Sequence, residues 1–138
     1  NVDNGEYVWQ APPGEDVCLG RPGCYPGYSA AISVTSDYVL AGSNEGWLRA
    51  FDIDNGEVLW EFDTTHLFTA VDGRTAQGGS IGGGQAPLIV GDRLILNSGY
   101  AFAGKMPGNA LLVLKLPASD AQVAAEFGAQ VLVDTAAK

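Results

Sequence analysis

The chain is poor in basic residues and has no long apolar run, which limits what it can bind. Its 7 Lys and Arg residues stand against 16 Asp and Glu residues, for a formal net charge of −9. Such a surface repels phosphate backbones and anionic lipid headgroups, so nucleic-acid and membrane-surface partners are disfavoured. No apolar run approaches the roughly 20 residues of a membrane-spanning helix. We therefore expect a soluble segment, with any signal peptide outside it.

Histidine and cysteine are equally scarce. His66 is the only histidine and has no evident Ser or Cys partner in sequence, which leaves a hydrolytic triad without support. Two cysteines are too few for a zinc site, and their spacing does not suit haem attachment. The Leu-Gly-Arg-Pro-Gly stretch between Cys18 and Cys24 favours a tight reversal. We predict a disulfide and hence a periplasmic or extracellular protein; two free buried thiols in a cytosolic protein are the alternative.

What the chain has in abundance is glycine and apolar residues, which indicate short strands joined by turns. It contains 19 Gly, with 46% hydrophobic and only 17% charged residues. Alternating apolar stretches with turn residues between them predict a mainly β structure. One complete four-stranded unit is predicted, with strands near Ala30–Thr35, Tyr38–Gly42, Trp47–Phe51 and Val58–Phe62. A further unit has predicted strands at Pro87–Val90, Arg93–Asn97 and Asn109–Leu116.

These units are repeats. The turn at Asp54-Asn55-Gly56 is followed by Trp60, and Asn4 to Trp9 repeats this half-unit with Gly again four residues before Trp. The spacing of the two tryptophans is slightly above the roughly 40 to 45 residues of a four-stranded propeller blade, as expected if one loop is long. The sequence therefore predicts an all-β fragment of a β-propeller built from four-stranded antiparallel blades.

The predicted boundaries divide the chain into blade segments. Residues 1–10 end one blade, residues 11–62 form a complete blade with a disulfide-pinned loop, and residues 63–116 form the next blade with long loops. Residues 117–138 are predicted to be a tail or a closing strand. Two interpretations stay open for them, a strand at Gln130 to Val133 and a helical turn at Ala121 to Phe127. Since a propeller ring needs roughly four to eight blades, we expect further blades, in cis or from another chain.

Loop lengths indicate a functional end. In a four-stranded meander, the connections after strands one and three share one end, and here they are tight turns. The other end carries nearly all irregular backbone, and long loops on a rigid scaffold commonly build sites. The loops at that end are Gln10–Tyr28, Ser43–Gly46, Asp63–Gly84 and Gly99–Gly108.

Two sets of motifs resemble a known family. Ala50 to Trp60 resembles the tryptophan-docking motif of quinoprotein alcohol dehydrogenases, with Asn55 where Thr is usual. The order of further segments between Trp9 and Leu116 resembles the C-terminal part of polyvinyl-alcohol-dehydrogenase-like quinoproteins. These segments are Cys18–Cys24, Ser29–Ala31, Ala41–Ala50, Gly78–Ile81, Asn97–Tyr100 and Met106–Asn109.

The resemblance implies a periplasmic dehydrogenase of secondary or polymeric alcohols that uses pyrroloquinoline quinone (PQQ) and a bound calcium ion. It also implies a c-type cytochrome as electron acceptor. One position departs from the family pattern, since Gly82 stands where the family usually has an acidic residue. This departure, together with the incomplete set of blades, supports a second reading, a non-catalytic propeller that binds or scaffolds in an envelope or extracellular assembly.

Oxidation of an alcohol by an ortho-quinone needs a cation near the quinone oxygen, a base for the alcohol proton and flat surfaces for the cofactor. Each candidate residue also has an alternative explanation without a functional role, as a solvated charge, a packing aromatic, a turn residue or a flexible hinge. The predicted catalytic residues are Glu45, Arg74 and Lys105, with Glu45 a base or metal ligand and the two cations electrophiles. The predicted cofactor-binding residues are Trp47, Gly78, Gly79, Ser80 and Tyr100, and the predicted metal ligands are Asn44 and Asn97.

Overall fold

The computed structural model describes residues 1–11, 17–116 and 131–134, the last as backbone only. Its first sheet is an antiparallel meander of four strands in chain order. These strands are β1 (Ser33–Val34), β2 (Tyr38–Gly42), β3 (Trp47–Asp52) and β4 (Val58–Asp63). The sheet matches the predicted complete blade.

A second meander of the same kind follows. A two-stranded hairpin, β5 (Leu67–Thr69) and β6 (Thr75–Gln77), precedes it. The strands of the second sheet, again in chain order, are β7 (Leu88–Val90), β8 (Arg93–Ser98), β9 (Ala110–Lys115) and β10 (Val131–Asp134). The structure therefore contains two consecutive four-stranded blades.

The strand predictions are confirmed for β2 to β4 and β7 to β10 within one residue or so at each end. β1 is shorter than predicted: only Ser33 and Val34 pair with β2. Before them, the Ser29 hydroxyl donates to Asn44 Oδ1, which holds this part of the chain at the loop end of the sheet. β10 confirms the predicted closing strand, whereas the alternative helical turn at Ala121 to Phe127 lies outside the described residues.

The hairpin β5–β6 corrects the prediction that Asp63 to Gly84 is wholly irregular. Short β-forming stretches flank the turn at Asp72-Gly73, where Gly73 takes a positive φ of 82°. A single glycine turn between two three-residue strands gives little periodicity, so the sequence pattern did not reveal it.

The two blades pack face to face through one continuous core. Alternate residues of β3 and β8, among them Leu48 and Leu94, point into it with no exposed surface. Leu40 and Leu112 complete the set of fully buried leucines. Each such side chain contributes about 2 kcal/mol of burial free energy, so this interface fixes the relative position of the blades.

The tryptophan-docking segment joins the first blade to the chain that precedes it. The indole N–H of Trp9 donates to the carbonyl oxygen of Ile53 at 2.7 Å, and its ring stacks on Phe51 with centroids 6.2 Å apart. A Cβ built on Gly56 would lie 2.5 Å from Trp9 Cε3, so only glycine allows the ring to approach the turn. Trp60 is half-buried against the core, and its ring lies parallel to that of Phe62.

We expect Gly56→Ala to lower the free energy of unfolding by about 2–3 kcal/mol, because the methyl group displaces Trp9 in addition to straining a positive φ. Urea denaturation of the purified protein measures this change. Gly73→Ala is the matched control, since Gly73 has a similar φ and no neighbour within 4 Å, and it should cost only about 1 kcal/mol. Equal losses in the two variants would contradict the docking of Trp9 on Gly56.

Candidate ligand-binding site

The predicted long loops converge at one end of the two blades. Ser80 lies at their centre: its carbonyl oxygen accepts the N–H of Tyr100 at 2.8 Å, and its own N–H donates to Met106 O at 3.0 Å. The next residue, Ile81, donates its N–H to the carbonyl of Ser43. The loops Ser43–Gly46, Asp63–Gly84 and Gly99–Gly108 are thereby tied together, as the meander pattern predicts.

A buried cluster of hydroxyl groups fixes this junction. Thr64 Oγ1 lies 2.7 Å from Ser98 Oγ and donates to the carbonyl of Gly46 at 2.7 Å. Ser98 Oγ in turn accepts the N–H of Gly79 at 2.8 Å. Because Thr64 and Ser98 are almost fully buried, these bonds are shielded from water and hold the loops rigidly.

The backbone amides of Gly78, Gly79 and Ser80 are occupied inside the protein. Gly78 N–H donates to His66 O, and the other two amides donate to Ser98 Oγ and Met106 O. A Cβ on Gly79 would lie 2.5 Å from Met106 O, so this glycine permits a close backbone crossing and is no flexible hinge. These amides are not free to hold a carboxylate in this arrangement, and a cofactor role of the three residues stays a prediction.

A cleft runs along the first strand of each blade, β1 and β7, which we call the inner strands. It has a volume of about 720 Å³ and lies between β1, β7 and β8, with Val34, Leu88 and Ile95 among its apolar walls. A more polar cleft of about 290 Å³ adjoins it at the loop end and shares Gly82 and Asn97 with it. Small-molecule sites are usually roughly 300–1,000 Å³ in volume. The candidate site therefore consists of the loop-end cleft and the part of the larger cleft that adjoins it.

Two of the predicted residues line this loop-end cleft, and a third, Lys105, lies over the ring of one of them. Tyr100 lines it, half-buried, with its ring against Gly82 and Gly83. Asn97 also lines it, and its side-chain amide donates to Gln85 Oε1 at 2.9 Å. Lys105 is placed beside it, with Nζ 5.7 Å from the centroid of the Tyr100 ring. The structure thus places an aromatic ring and a carboxamide in the lining of the cleft, and an ammonium group next to that ring.

Gly82 explains how Tyr100 reaches this position. A Cβ on Gly82 would lie 2.5 Å from Tyr100 Cδ1 and 3.1 Å from the hydroxyl oxygen of Ser29. The tyrosine ring therefore fills the space that a side chain at position 82 would need. The glycine that departs from the resembled family pattern is therefore also the residue that allows Tyr100 to lie at the cleft.

Glu45 and Trp47 lie elsewhere, around a buried ion pair. Glu45 is 5% exposed, accepts the N–H of Gly27 and pairs with Arg49 at 3.2 Å. The Arg49 guanidinium also lies 5.5 Å from the Trp47 ring centroid and donates to the Tyr28 hydroxyl. Neither Glu45 nor Trp47 lines the clefts. In this structure both contribute to packing, and their catalytic and stacking roles stay predictions.

Burial raises the pKa of the Tyr28 phenol, and the neighbouring Arg49 guanidinium pulls that pKa in the opposite direction. The phenol therefore remains a neutral acceptor for the Arg49 donor. Sequence reasoning missed Arg49, although its place opposite Glu61 in a β-hairpin was a usable signal for a cross-strand ion pair.

Arg74 and Asn44 are also outside the clefts. Arg74 lies in the exposed β5–β6 turn and pairs with Asp72 at 2.6 Å; its backbone N–H, then its guanidinium, lower the pKa of the Asp72 carboxyl. Asn44 is buried, and its Oδ1 accepts the Ser29 hydroxyl at 2.7 Å. Asn44 and Asn97 therefore do not share a site among the described residues.

Two cleft residues were missed by sequence reasoning, Gln85 and Asn109. Each is a polar residue directly after glycine and shortly before a strand that enters the blade, which was the available signal. No Asp or Glu lines either cleft, and the described part of the chain holds no group of three His, Cys, Asp or Glu side chains suited to a metal ion.

The predicted disulfide is confirmed: Cys18 and Cys24 are joined with an S–S distance of 2.03 Å. Both cysteines are buried together with Met106 in a small apolar cluster. Among the residues described, no helix is long and apolar enough to cross a bilayer.

Two antiparallel four-stranded meanders, packed face to face, with a docked tryptophan and a cleft along their inner strands, define a segment of a β-propeller. No protein-family model matches the chain. It is 40% identical over 104 residues to a polyvinylalcohol dehydrogenase of a Sphingopyxis species, which covers 73% of the chain and 16% of that protein. It is 36% identical over 102 residues to a polyvinylalcohol dehydrogenase of a Pseudomonas species, with 72% and 16% covered.

A 1-butanol dehydrogenase (quinone) of Thauera butanivorans is 32% identical over 106 residues, with 72% of the chain and 16% of that protein covered. Over 72–73% of its length the chain is therefore similar to one part of polyvinylalcohol and quinone-dependent alcohol dehydrogenases. It spans about a sixth of the length of these relatives.

Proposed function

We propose that this chain forms part of the PQQ site of an alcohol dehydrogenase that oxidises secondary or polymeric alcohols. The observation that carries the proposal is the loop-end cleft, which Asn97 and Tyr100 line and beside which Lys105 lies over the Tyr100 ring. Similarity to two polyvinylalcohol dehydrogenases supports the polymeric substrate.

The side chains at this cleft fit a flat anion. PQQ is a planar ortho-quinone with carboxylate groups, and when bound it supplies the acceptor for the hydride. Lys105 provides the one ammonium group placed beside the described cleft and suits a carboxylate or a quinone oxygen that gains negative charge. Tyr100 offers an aromatic surface, and the amides of Asn97 and Asn109 offer hydrogen bonds that orient the ligand.

A calcium ion fits the described residues less well. Calcium takes roughly six to eight oxygen ligands, mostly carboxylates and carbonyls. The described cleft offers the amide oxygens of Asn97 and Asn109 but no carboxylate. We therefore assign to this chain at most a minority of the calcium ligands, and the alcohol-proton acceptor to other blades of the same propeller.

Further blades, a location outside the cytosol and an electron acceptor complete the proposed function. Val34, Leu88 and Val90 on the inner strands are 55–57% exposed, an apolar edge that suits further blades in cis or from another chain. The disulfide supports a periplasmic or extracellular location. A c-type cytochrome as electron acceptor follows from the family alone.

The test is reconstitution of the purified full-length protein with PQQ and calcium, followed by spectroscopy with an alcohol and a dye acceptor. We expect saturable PQQ binding and alcohol-dependent dye reduction. Gly82→Ala displaces Tyr100 and should weaken PQQ binding about tenfold, whereas Gly84→Ala, which has no neighbour within 4 Å, should not. No binding and no turnover in the wild type would instead favour the non-catalytic scaffold.

A further inference from the structure

The disulfide loop packs directly against the loop that carries Lys105. Cys18, Cys24 and Met106 form a buried apolar cluster, each less than 9% exposed. Gly23, with a positive φ of 75°, approaches so closely that a Cβ there would lie 2.9 Å from Gly104 O and 3.1 Å from Met106 N. The two backbones are therefore in contact immediately before and after Lys105.

Polar contacts hold the same segment from both sides. Arg21 donates to Thr65 Oγ1 at 3.0 Å and reaches Met106 Sδ at 4.0 Å. On the opposite side, Met106 N–H donates to Ser80 Oγ at 3.0 Å, and Met106 O accepts the N–H of Ser80. Met106 is thus clamped between the disulfide loop and the centre of the loop junction.

We propose that the loop closed by Cys18 and Cys24 is a positioning element for Lys105, holding its backbone so that the ammonium group stays over Tyr100 at the cleft. Within this loop Arg21 N–H donates to Cys18 O and Cys24 N–H donates to Arg21 O, and the disulfide adds the covalent link between its ends. Opening the link therefore frees the surface against which Gly104 and Met106 pack. The identity of the ligand that Lys105 meets rests on the proposed function.

The first test needs no ligand. Trypsin cleaves after Lys105 and also after Arg74, which lies in the exposed β5–β6 turn and serves as the internal reference. In the full-length protein, Cys18→Ser/Cys24→Ser should raise the rate of cleavage after Lys105 about tenfold relative to Arg74, because cleavage requires local opening. Mass spectrometry of the fragments gives both rates. An unchanged ratio would overturn the proposal.

Arg21→Ala provides a second variant that keeps the disulfide, in case the double serine variant does not fold. It removes the contacts to Thr65 and Met106 and should raise the same cleavage ratio about threefold. Arg93→Ala, at the start of β8 and in an ion pair with the exposed Asp92, is the control and should leave the ratio unchanged. A ratio that stays constant in Arg21→Ala as well as in the serine variant would contradict the positioning role.

The second test asks whether the loop acts through Lys105. PQQ affinity is measured by equilibrium titration for the wild type, Cys18→Ser/Cys24→Ser, Lys105→Met and the triple variant; serine variants replace chemical reduction because reductants attack quinones. Opening the loop should weaken PQQ binding about five- to tenfold when Lys105 is present and not when it is methionine. An equal loss in both backgrounds would show that the loop does not act through Lys105. If the wild type does not bind PQQ, the proposed function fails, while the cleavage ratio still decides the positioning role.

Discussion

Replacing Arg49 with methionine is expected to lower the free energy of unfolding by about 3–5 kcal/mol, because the buried carboxylate of Glu45 then loses its charged partner. Arg49 is 6% exposed and joins Glu45, Glu61 and the Tyr28 hydroxyl. Its removal leaves a desolvated negative charge, which costs more than the lost attraction itself. Urea denaturation of the purified protein measures the change.

Two variants make this result specific. Glu45→Gln/Arg49→Met removes the stranded charge and should recover about half or more of the loss. Arg93→Met breaks the surface pair with Asp92, both partners being about half exposed, and should cost less than about 1 kcal/mol. A loss in Arg49→Met no larger than that in Arg93→Met would show that the Glu45 carboxylate is not stabilised by Arg49.

Replacing Lys105 with methionine is expected to weaken PQQ binding by about 10- to 100-fold, since a charge-assisted hydrogen bond to an anionic group contributes about 1.5–3 kcal/mol. Methionine keeps the length of the side chain and removes its charge. Equilibrium titration with PQQ measures the affinity, and circular dichroism checks that the blades remain folded. Lys105→Arg keeps the charge and should retain most of the affinity.

Lys115→Met is the matched control for this experiment. Lys115 ends strand β9, paired with Arg93 at the end of the second blade opposite the loop-end cleft. It should leave PQQ affinity unchanged within about twofold. Equal losses in the two methionine variants would mean that overall charge, and not the position of Lys105, governs binding.

The blade architecture could be predicted from the sequence because its signals are local. Alternation of apolar and polar residues placed β2, β3 and β8 within about a residue, as their side chains alternate between the core and the opposite face. The Asp54-Asn55-Gly56 turn and the paired tryptophans indicated the repeat. The hairpin β5–β6 escaped prediction because two three-residue strands carry too little periodicity.

The candidate site could be predicted only in part, because its members come from distant parts of the chain. The sequence indicated which loops share an end, and of the residues predicted there Asn97 and Tyr100 line the loop-end cleft, with Lys105 beside Tyr100. It could not show that the Glu45 carboxylate would be buried in an ion pair with Arg49, since that burial depends on the tertiary fold. Nor could it show that Arg74 lies on a separate hairpin.

The amino-acid sequence alone was sufficient for the all-β class, the two blades, the Cys18–Cys24 bridge and the resemblance to quinoproteins, since each depends on neighbouring residues or ordered motifs. Only the tertiary structure decided which polar groups remain available to a ligand. The backbone amides of Gly78, Gly79 and Ser80 donate hydrogen bonds to other segments of the protein and are not available to a ligand. Tyr100, in contrast, lies at the cleft because Gly82 has no side chain. Availability is set by packing between segments far apart in the chain, and no local pattern records it.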